Sequence, residues 1–244
     1  MESGRPMLFS PSPGHHNQNY AKEVSRIVKS GIFNDLSTVL ITPTRGWLHC
    51  AHVVASSGMI RPFNHKIAGP LYARGMEVGE AYNQLIADIL ENPEYSKFKF
   101  ILTLEDDMIP PLDGMIRLYR NIGDYDGIGG LYWTKGENGL PLMFGDPTNS
   151  EVNTEINFLP VVPKTNETQP VYGSGMGFNL WKMDVFRRME APWFETVAKV
   201  ENGAGVTMTQ DIAFFKKAHA LGMKFAIDTS CRVGHFDVDQ EIVW

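Results

Sequence analysis

The chain has 244 residues, 43% hydrophobic and 20% charged, with a formal net charge of −6. That length supports one sizeable core, and the composition excludes a disordered or fibrous chain. The acidic balance argues against a broad nucleic-acid-binding surface, though not against a local anion site built around a metal.

Two cysteines, Cys50 and Cys231, are too few for a disulfide framework and suit a reduced compartment. No apolar run approaches the ~20 residues of a membrane span, and no signal-peptide pattern opens the chain, so a cytoplasmic location is expected. On that expectation the sequon Asn166-Glu167-Thr168 is a chance match.

In chain order, a polar, turn-rich lead-in precedes a short amphipathic helix carrying Val24, Ile27 and Val28. The β-branched run Thr38 to Thr42 then reads as a buried strand, ended by Pro43 and Gly46. From Gly75 onward, Val78, Ala81, Leu85 and Ile89 fall on one face of a helix of about four turns. A second strand, KFKFILTLE, runs into the acidic triplet Glu105-Asp106-Asp107. Pro110 and Pro111 are expected to open the next helix, with Leu112, Met115, Ile116 and Tyr119 as its buried stripe.

YDGIGGLYW reads as another strand and LPLMFG as a short one, whereas 146–169 is polar, proline-containing and irregular. Then VYGSGMGFNLWKMDVFRRM predicts a glycine-rich turn, a strand and a helix, and TQDIAFFKKAHALG a helix ending at Gly222. KFAIDTSCRVGHF closes the domain with a strand and a loop holding His235. Strands alternating with helices imply a mainly parallel sheet covered on both faces, with ligands bound beyond the carboxyl ends of the strands.

The acidic triplet sits at such an end. On an extended strand Glu105 and Asp107 project to one side and Asp106 to the other. Two converging carboxylates repel, and a hard divalent cation such as Mg²⁺ or Mn²⁺, completed by water and phosphate oxygens, relieves that repulsion. The competing reading is a helix N-cap, with Asp106 or Asp107 serving the first turn after Pro110. Asp211, in the first turn of its helix, and His235, after Gly234, supply a further acid and a further ligand type.

This ordered set, from Val39 to Phe236, resembles the nucleotide-sugar-dependent glycosyltransferases of the GT-A fold, family 2-like. The resemblance rests on ITPTRG after the first strand, Ala81-Tyr82-Asn83 on the helix before the acidic strand, and Glu105-Asp106-Asp107 in place of Asp-x-Asp. It continues through Tyr172-Gly173-Ser174-Gly175-Met176-Gly177, Gln210-Asp211 and Gly234-His235. It implies a Rossmann-like, three-layer α/β/α domain over 37–244, after a lead-in at 1–36. The donor-binding half would span about 37–135 and the acceptor-binding half about 136–244.

By the same resemblance, Thr42, Pro43, Thr44 and Asn83 serve the donor nucleotide, Glu105 or Asp106 its ribose or a metal-bound water, and Asp107 with His235 a Mn²⁺ or Mg²⁺ ion. Arg45 and Arg74, near strand or helix ends, are candidates for the diphosphate, with solvated surface as the competing reading. Asp211 would be the general base on an acceptor hydroxyl, which implies inversion at the anomeric carbon. Gly173, Ser174 and Gly175 would line the acceptor site, with Trp133 and Trp193 as stacking platforms. The partners implied are a nucleoside-diphosphate sugar and an acceptor that is a glycan, a protein, a small molecule or a modified nucleic acid.

Three alternatives stay open: a retaining transferase with the same metal site, a nucleotidyltransferase of related fold, and a non-catalytic sugar-binding protein. His49, His52 and His65 with Cys50 form a weak zinc pattern, since their spacing fits no common structural site.

Overall fold

The computed structural model describes residues 35–62, 65–149, 156–201 and 204–244, and of 199–207 the backbone alone. The expected helix carrying Val24, Ile27 and Val28 lies outside the described residues. No described helix is long and apolar enough to cross a membrane.

Three buried runs make the centre of the sheet: β1 (Thr38–Thr44), β3 (Phe100–Leu104) and β5 (Gly127–Leu131). They are joined by β2 (Ile67–Arg74), β7 (Thr168–Val171), β9 (Phe178–Lys182) and β12 (Phe225–Arg232) in the order β2-β1-β3-β9-β5-β12-β7. β1 pairs in parallel with β2 and β3, and β5 with β12; β9 and β7 run against their neighbours. Five of the seven strands therefore point the same way, and their carboxyl ends share one edge. This is the mainly parallel sheet that the alternation of elements implies, and it is consistent with the Rossmann-like GT-A fold that the resemblance implies.

β2 was not legible as a strand because Gly69-Pro70 interrupts it. It is an edge strand, where a missing N–H costs no ladder bond. Gly69 has φ +90, and a Cβ there would lie 2.4 Å from the Leu40 carbonyl oxygen, so close pairing with β1 requires glycine.

Helices cover both faces. α2 (Val78–Glu91), α4 (Met183–Arg188) and α5 (Gln210–Ala220) bury Leu85, Ile89, Phe186, Phe214 and Phe215 against one face of the sheet, around Trp181 and Phe225. Phe214 stacks on Phe194 at 4.6 Å and meets Trp181 edge-on at 5.2 Å. Each such side chain contributes about 2 to 3 kcal/mol on burial, so this cluster dominates the core. α3 (Gly114–Asn121) covers the other face, where Tyr119 meets Phe100 edge-on.

α3 begins later than Pro110-Pro111 suggests. Met108–Ile109 is taken up by a short strand, β4, paired with β13 (Gly234–Asp237), and Gly114 N–H closes a turn on the Pro111 carbonyl. Leu112 consequently lies outside the buried stripe and is exposed.

α1 (Cys50–Gly58) follows β1 and lies against β4 through His52, whose Nδ1 bonds the Met108 carbonyl at 2.9 Å. Short pairings complete the chain: β6 (Met143–Phe144) with β8 (Gly173–Ser174), β10 (Val197–Glu201) with β11 (Ala204–Met208), and β13 with β14 (Ile242–Val243).

Candidate active site

The triplet leaves the strand. Glu105 N–H bonds the Gly177 carbonyl, and Met108 N–H closes back on the Glu105 carbonyl at 3.1 Å, so Glu105-Asp106-Asp107 forms the turn between β3 and β4. Phe236 N–H on the Asp107 carbonyl, at 2.7 Å, ties β13 to that turn. The turn thus lies at the carboxyl edge of the sheet, and each of its three carboxylates meets different company.

Asp106 faces outward to the β1–α1 turn, where its Oδ2 accepts Arg45 N–H at 3.3 Å. Glu105 turns inward and accepts the Tyr82 hydroxyl at 2.9 Å. Burial, then the neighbouring Asp107 charge, raise its pKa to about 7 against the opposing Tyr82 hydrogen bond. Asp107 receives Lys135 Nζ at 2.7 Å and lies 3.3 Å from His235 Nε2, both at Oδ2. Burial alone would raise Asp107, but the His235 and Lys135 hydrogen bonds and charges outweigh it and hold the pKa at about 2.

His235 Nδ1 lies 2.7 Å from the Trp133 carbonyl oxygen. A carbonyl only accepts, so Nδ1 carries the proton; Nε2 then donates a second N–H to Asp107 in the imidazolium and offers a lone pair only in the neutral ring, the form a cation selects. A carboxylate and an imidazole lone pair directed at one point fit a hard divalent cation as a two-ligand, open site. No group of three or more His, Cys, Asp or Glu side chains gathers among the described residues, so the remaining ligands would be water and phosphate oxygens.

Asp211 stands in the first turn of α5, where Oδ1 accepts both the Thr209 hydroxyl and Ile212 N–H. Its charge also helps raise Glu105 and the Tyr132 phenol. Among the described residues, the hydrogen bonds to this carboxylate fall on Oδ1. Thr44, Arg45 and Arg74 surround the β1–α1 turn: the Arg74 side chain lies over Gly46, and Gly75 N–H bonds the Thr44 carbonyl at 3.0 Å.

Several of the expected binding residues are buried. Thr42 and Pro43 are buried within β1, and the Thr42 hydroxyl has no hydrogen-bond partner among the described residues. Asn83 spends its amide on backbone: Oδ1 accepts Trp193 and Phe194 N–H at 2.9 and 3.0 Å, and Nδ2 donates to the Phe194 carbonyl at 2.7 Å. Trp193 offers no stacking face because it is buried, with its indole N–H on the Phe186 and Met189 carbonyls. Trp133 is half-buried beside His235.

Gly173, Ser174 and Gly175 are likewise buried. A Cβ on Gly175 would lie 2.2 Å from the Tyr132 hydroxyl oxygen, and that oxygen accepts Gly177 N–H at 2.8 Å. The glycine turn is therefore packed closely on Tyr132.

The histidines flagged as a weak zinc pattern are dispersed. His49 caps α1 and stacks on Phe236, His52 bonds the Met108 carbonyl, and His65 accepts Leu36 N–H.

Tyr132 and Lys135 escaped the sequence reading, and Tyr82 entered it only within the segment Ala81-Tyr82-Asn83. Lys135 lies in WTKGENG, a plain turn signature, and no spacing rule ties such a lysine to a carboxylate 28 residues away.

The chain matches no family model and no curated protein. Among solved structures it is similar to A197 from STIV, with a TM-score of 0.57 and 15% identity over 85% of this chain and 92% of that one. That likeness is one of fold. It is also similar to S. aureus TarS 1-349, with a TM-score of 0.43 and 11% identity, over 81% of this chain and 59% of that chain.

Proposed function

We propose that the protein transfers a sugar from a nucleoside-diphosphate sugar to an acceptor hydroxyl, in a reaction that depends on Mn²⁺ or Mg²⁺. The observation that carries this reading is the meeting of Asp107 Oδ2 and His235 Nε2 at 3.3 Å, with the imidazole tautomer set by the Trp133 carbonyl. The GT-A-like sheet, whose carboxyl edge holds this pair, supports the same reading.

Asp107 and His235 would hold the cation, which supplies positive charge against the leaving diphosphate. Arg45 and Arg74, at the rim of the β1–α1 turn, would bind and orient the phosphates. Glu105 and Asp106 would serve the donor side. Glu105 stays inward on the Tyr82 hydroxyl, and Asp106 holds the β1–α1 turn through Arg45 N–H.

Asp211 would take the proton from the acceptor hydroxyl through Oδ2 while the Thr209 hydroxyl and Ile212 N–H fix Oδ1. Attack from that side inverts the anomeric centre. The acceptor's oxygen forms the new glycosidic bond as the sugar–phosphate bond breaks, and the diphosphate leaves with its electron pair.

The test is release of nucleoside diphosphate from a panel of nucleotide sugars with Mn²⁺. Metal-dependent release that Asp107→Ala abolishes supports the reading. Pyrophosphate release from a nucleoside triphosphate and a sugar phosphate, or tight nucleotide-sugar binding without turnover, would replace it with a nucleotidyltransferase or a binding protein.

A further inference from the structure

The hairpin across the Trp133–Pro141 bridge acts on the Asp107–His235 pair twice. Its first residue fixes the His235 tautomer through the Trp133 carbonyl, and two residues later Lys135 Nζ reaches Asp107 Oδ2 at 2.7 Å. That is the same oxygen that faces His235 Nε2. An ammonium at hydrogen-bond length and a divalent cation compete for it, because that oxygen has two lone pairs, His235 Nε2 already faces it, and the two positive charges repel at contact distance.

The hairpin is also built so that Lys135 can leave. Its base is pinned by Thr134 N–H on the Leu140 carbonyl and Leu140 N–H on the Thr134 hydroxyl, both at 2.9 Å. Its tip is permissive: Gly136 has φ +106, and a Cβ there would meet nothing within 4 Å. The Lys135 side chain is 30% exposed and carries a flexible four-carbon stem. The ammonium can swing to a new anion without disturbing the hairpin base or the Trp133 carbonyl.

We infer that Lys135 is a tethered competitor for the divalent cation on Asp107, handed over to the diphosphate when donor and cation bind together. The inference rests on the donor-site reading above and adds a coupling to it. Cation alone is held weakly because Lys135 must first be displaced, whereas phosphate oxygens give the displaced ammonium a new partner. By linkage, cation and diphosphate each strengthen the other's binding.

The test uses the full chain as wild type, Lys135→Met and Lys135→Arg, each first checked for native circular dichroism. Binding of Mn²⁺ alone is followed by electron paramagnetic resonance at low salt. Lys135→Met should bind Mn²⁺ about tenfold more tightly than wild type, a coupling of ordinary size for two interacting sites, and Lys135→Arg should stay close to wild type. The gain should vanish in an Asp107→Ala background. Equal or weaker Mn²⁺ binding by Lys135→Met, or no Mn²⁺ binding by either protein, overturns the inference.

In a second arm, inorganic pyrophosphate is titrated into the Mn²⁺-saturated proteins. Wild type should bind it about tenfold more tightly than Lys135→Met. Equal affinities overturn the hand-over. Failure of the donor-site reading looks different: no nucleotide sugar turns over, while the Mn²⁺ comparison still reports on Lys135.

Discussion

The Tyr82 hydroxyl donates to Glu105 Oε1 at 2.9 Å, joining α2 to the turn that carries the three carboxylates. The bond favours the ionised form of Glu105, yet burial and the Asp107 charge prevail and raise its pKa to about 7. The native protein therefore holds a proton that the unfolded chain releases near the ordinary value of 4.5. Stability falls as pH rises between those two values, because the native state binds more protons there.

Glu105→Gln removes that slope while keeping an acceptor for Tyr82. Relative to wild type it should gain up to about 3 kcal/mol at pH 8 and little at pH 4. Urea unfolding at both pH values measures the difference, and an equal offset at both would contradict it.

Asp107 behaves in the opposite sense. Its pKa of about 2 lies below the ordinary 3.8, so its stabilisation is complete above 3.8 and is lost as pH falls through 2. Asp107→Asn should also lower the Glu105 pKa by removing the second-largest cause of its elevation. Carbon-detected NMR titration of the Glu105 carboxyl checks this; an unmoved midpoint would mean that burial alone sets it.

Asn83 clamps the 193–194 backbone with three hydrogen bonds. Asn83→Ala leaves those backbone groups unpaired beside the buried Trp193 and Phe194 and should cost about 2 to 4 kcal/mol. For a chain of this size the melting temperature drops by roughly 5 to 10 °C. Metal binding at Asp107 should be unaffected, which separates this scaffold role from a donor-binding one.

Gly175→Ala drives a methyl into the Tyr132 hydroxyl and should destabilise by about 1 to 3 kcal/mol. Adding Tyr132→Phe removes the nearest atom, though Gly177 N–H then loses its acceptor. The double variant should recover part of the loss in a thermal melt.

Asp211→Asn should lower turnover by about 10²- to 10⁴-fold with little change in donor affinity, since its proposed part is proton removal from the acceptor. A large loss of donor affinity instead would place Asp211 on the nucleotide.

The layered fold could be read from the chain because it depends on local periodicity. Buried runs such as FILTL, and the helical stripe Ala81, Leu85 and Ile89, report their own burial wherever they are placed. Edge strand β2 escaped that reading because its burial is partial and Gly69-Pro70 breaks the pattern. The strands β10 and β11 likewise lie in a stretch without a readable signature.

The carboxylate triplet, Asp211 and His235 were visible as residue types at strand and helix ends. Their partners were not. The Asp107–His235 contact spans 128 residues, and Lys135 reaches the same oxygen from a hairpin tip. Glycines 173 and 175 and Trp193 looked like ligand-binding features in one dimension, yet the tertiary structure buries them. Local sequence carries the period and polarity of each element, and these decided the layers. Which side chains converge, and which polar groups satisfy one another, depends on long-range packing, and only the folded chain decided that.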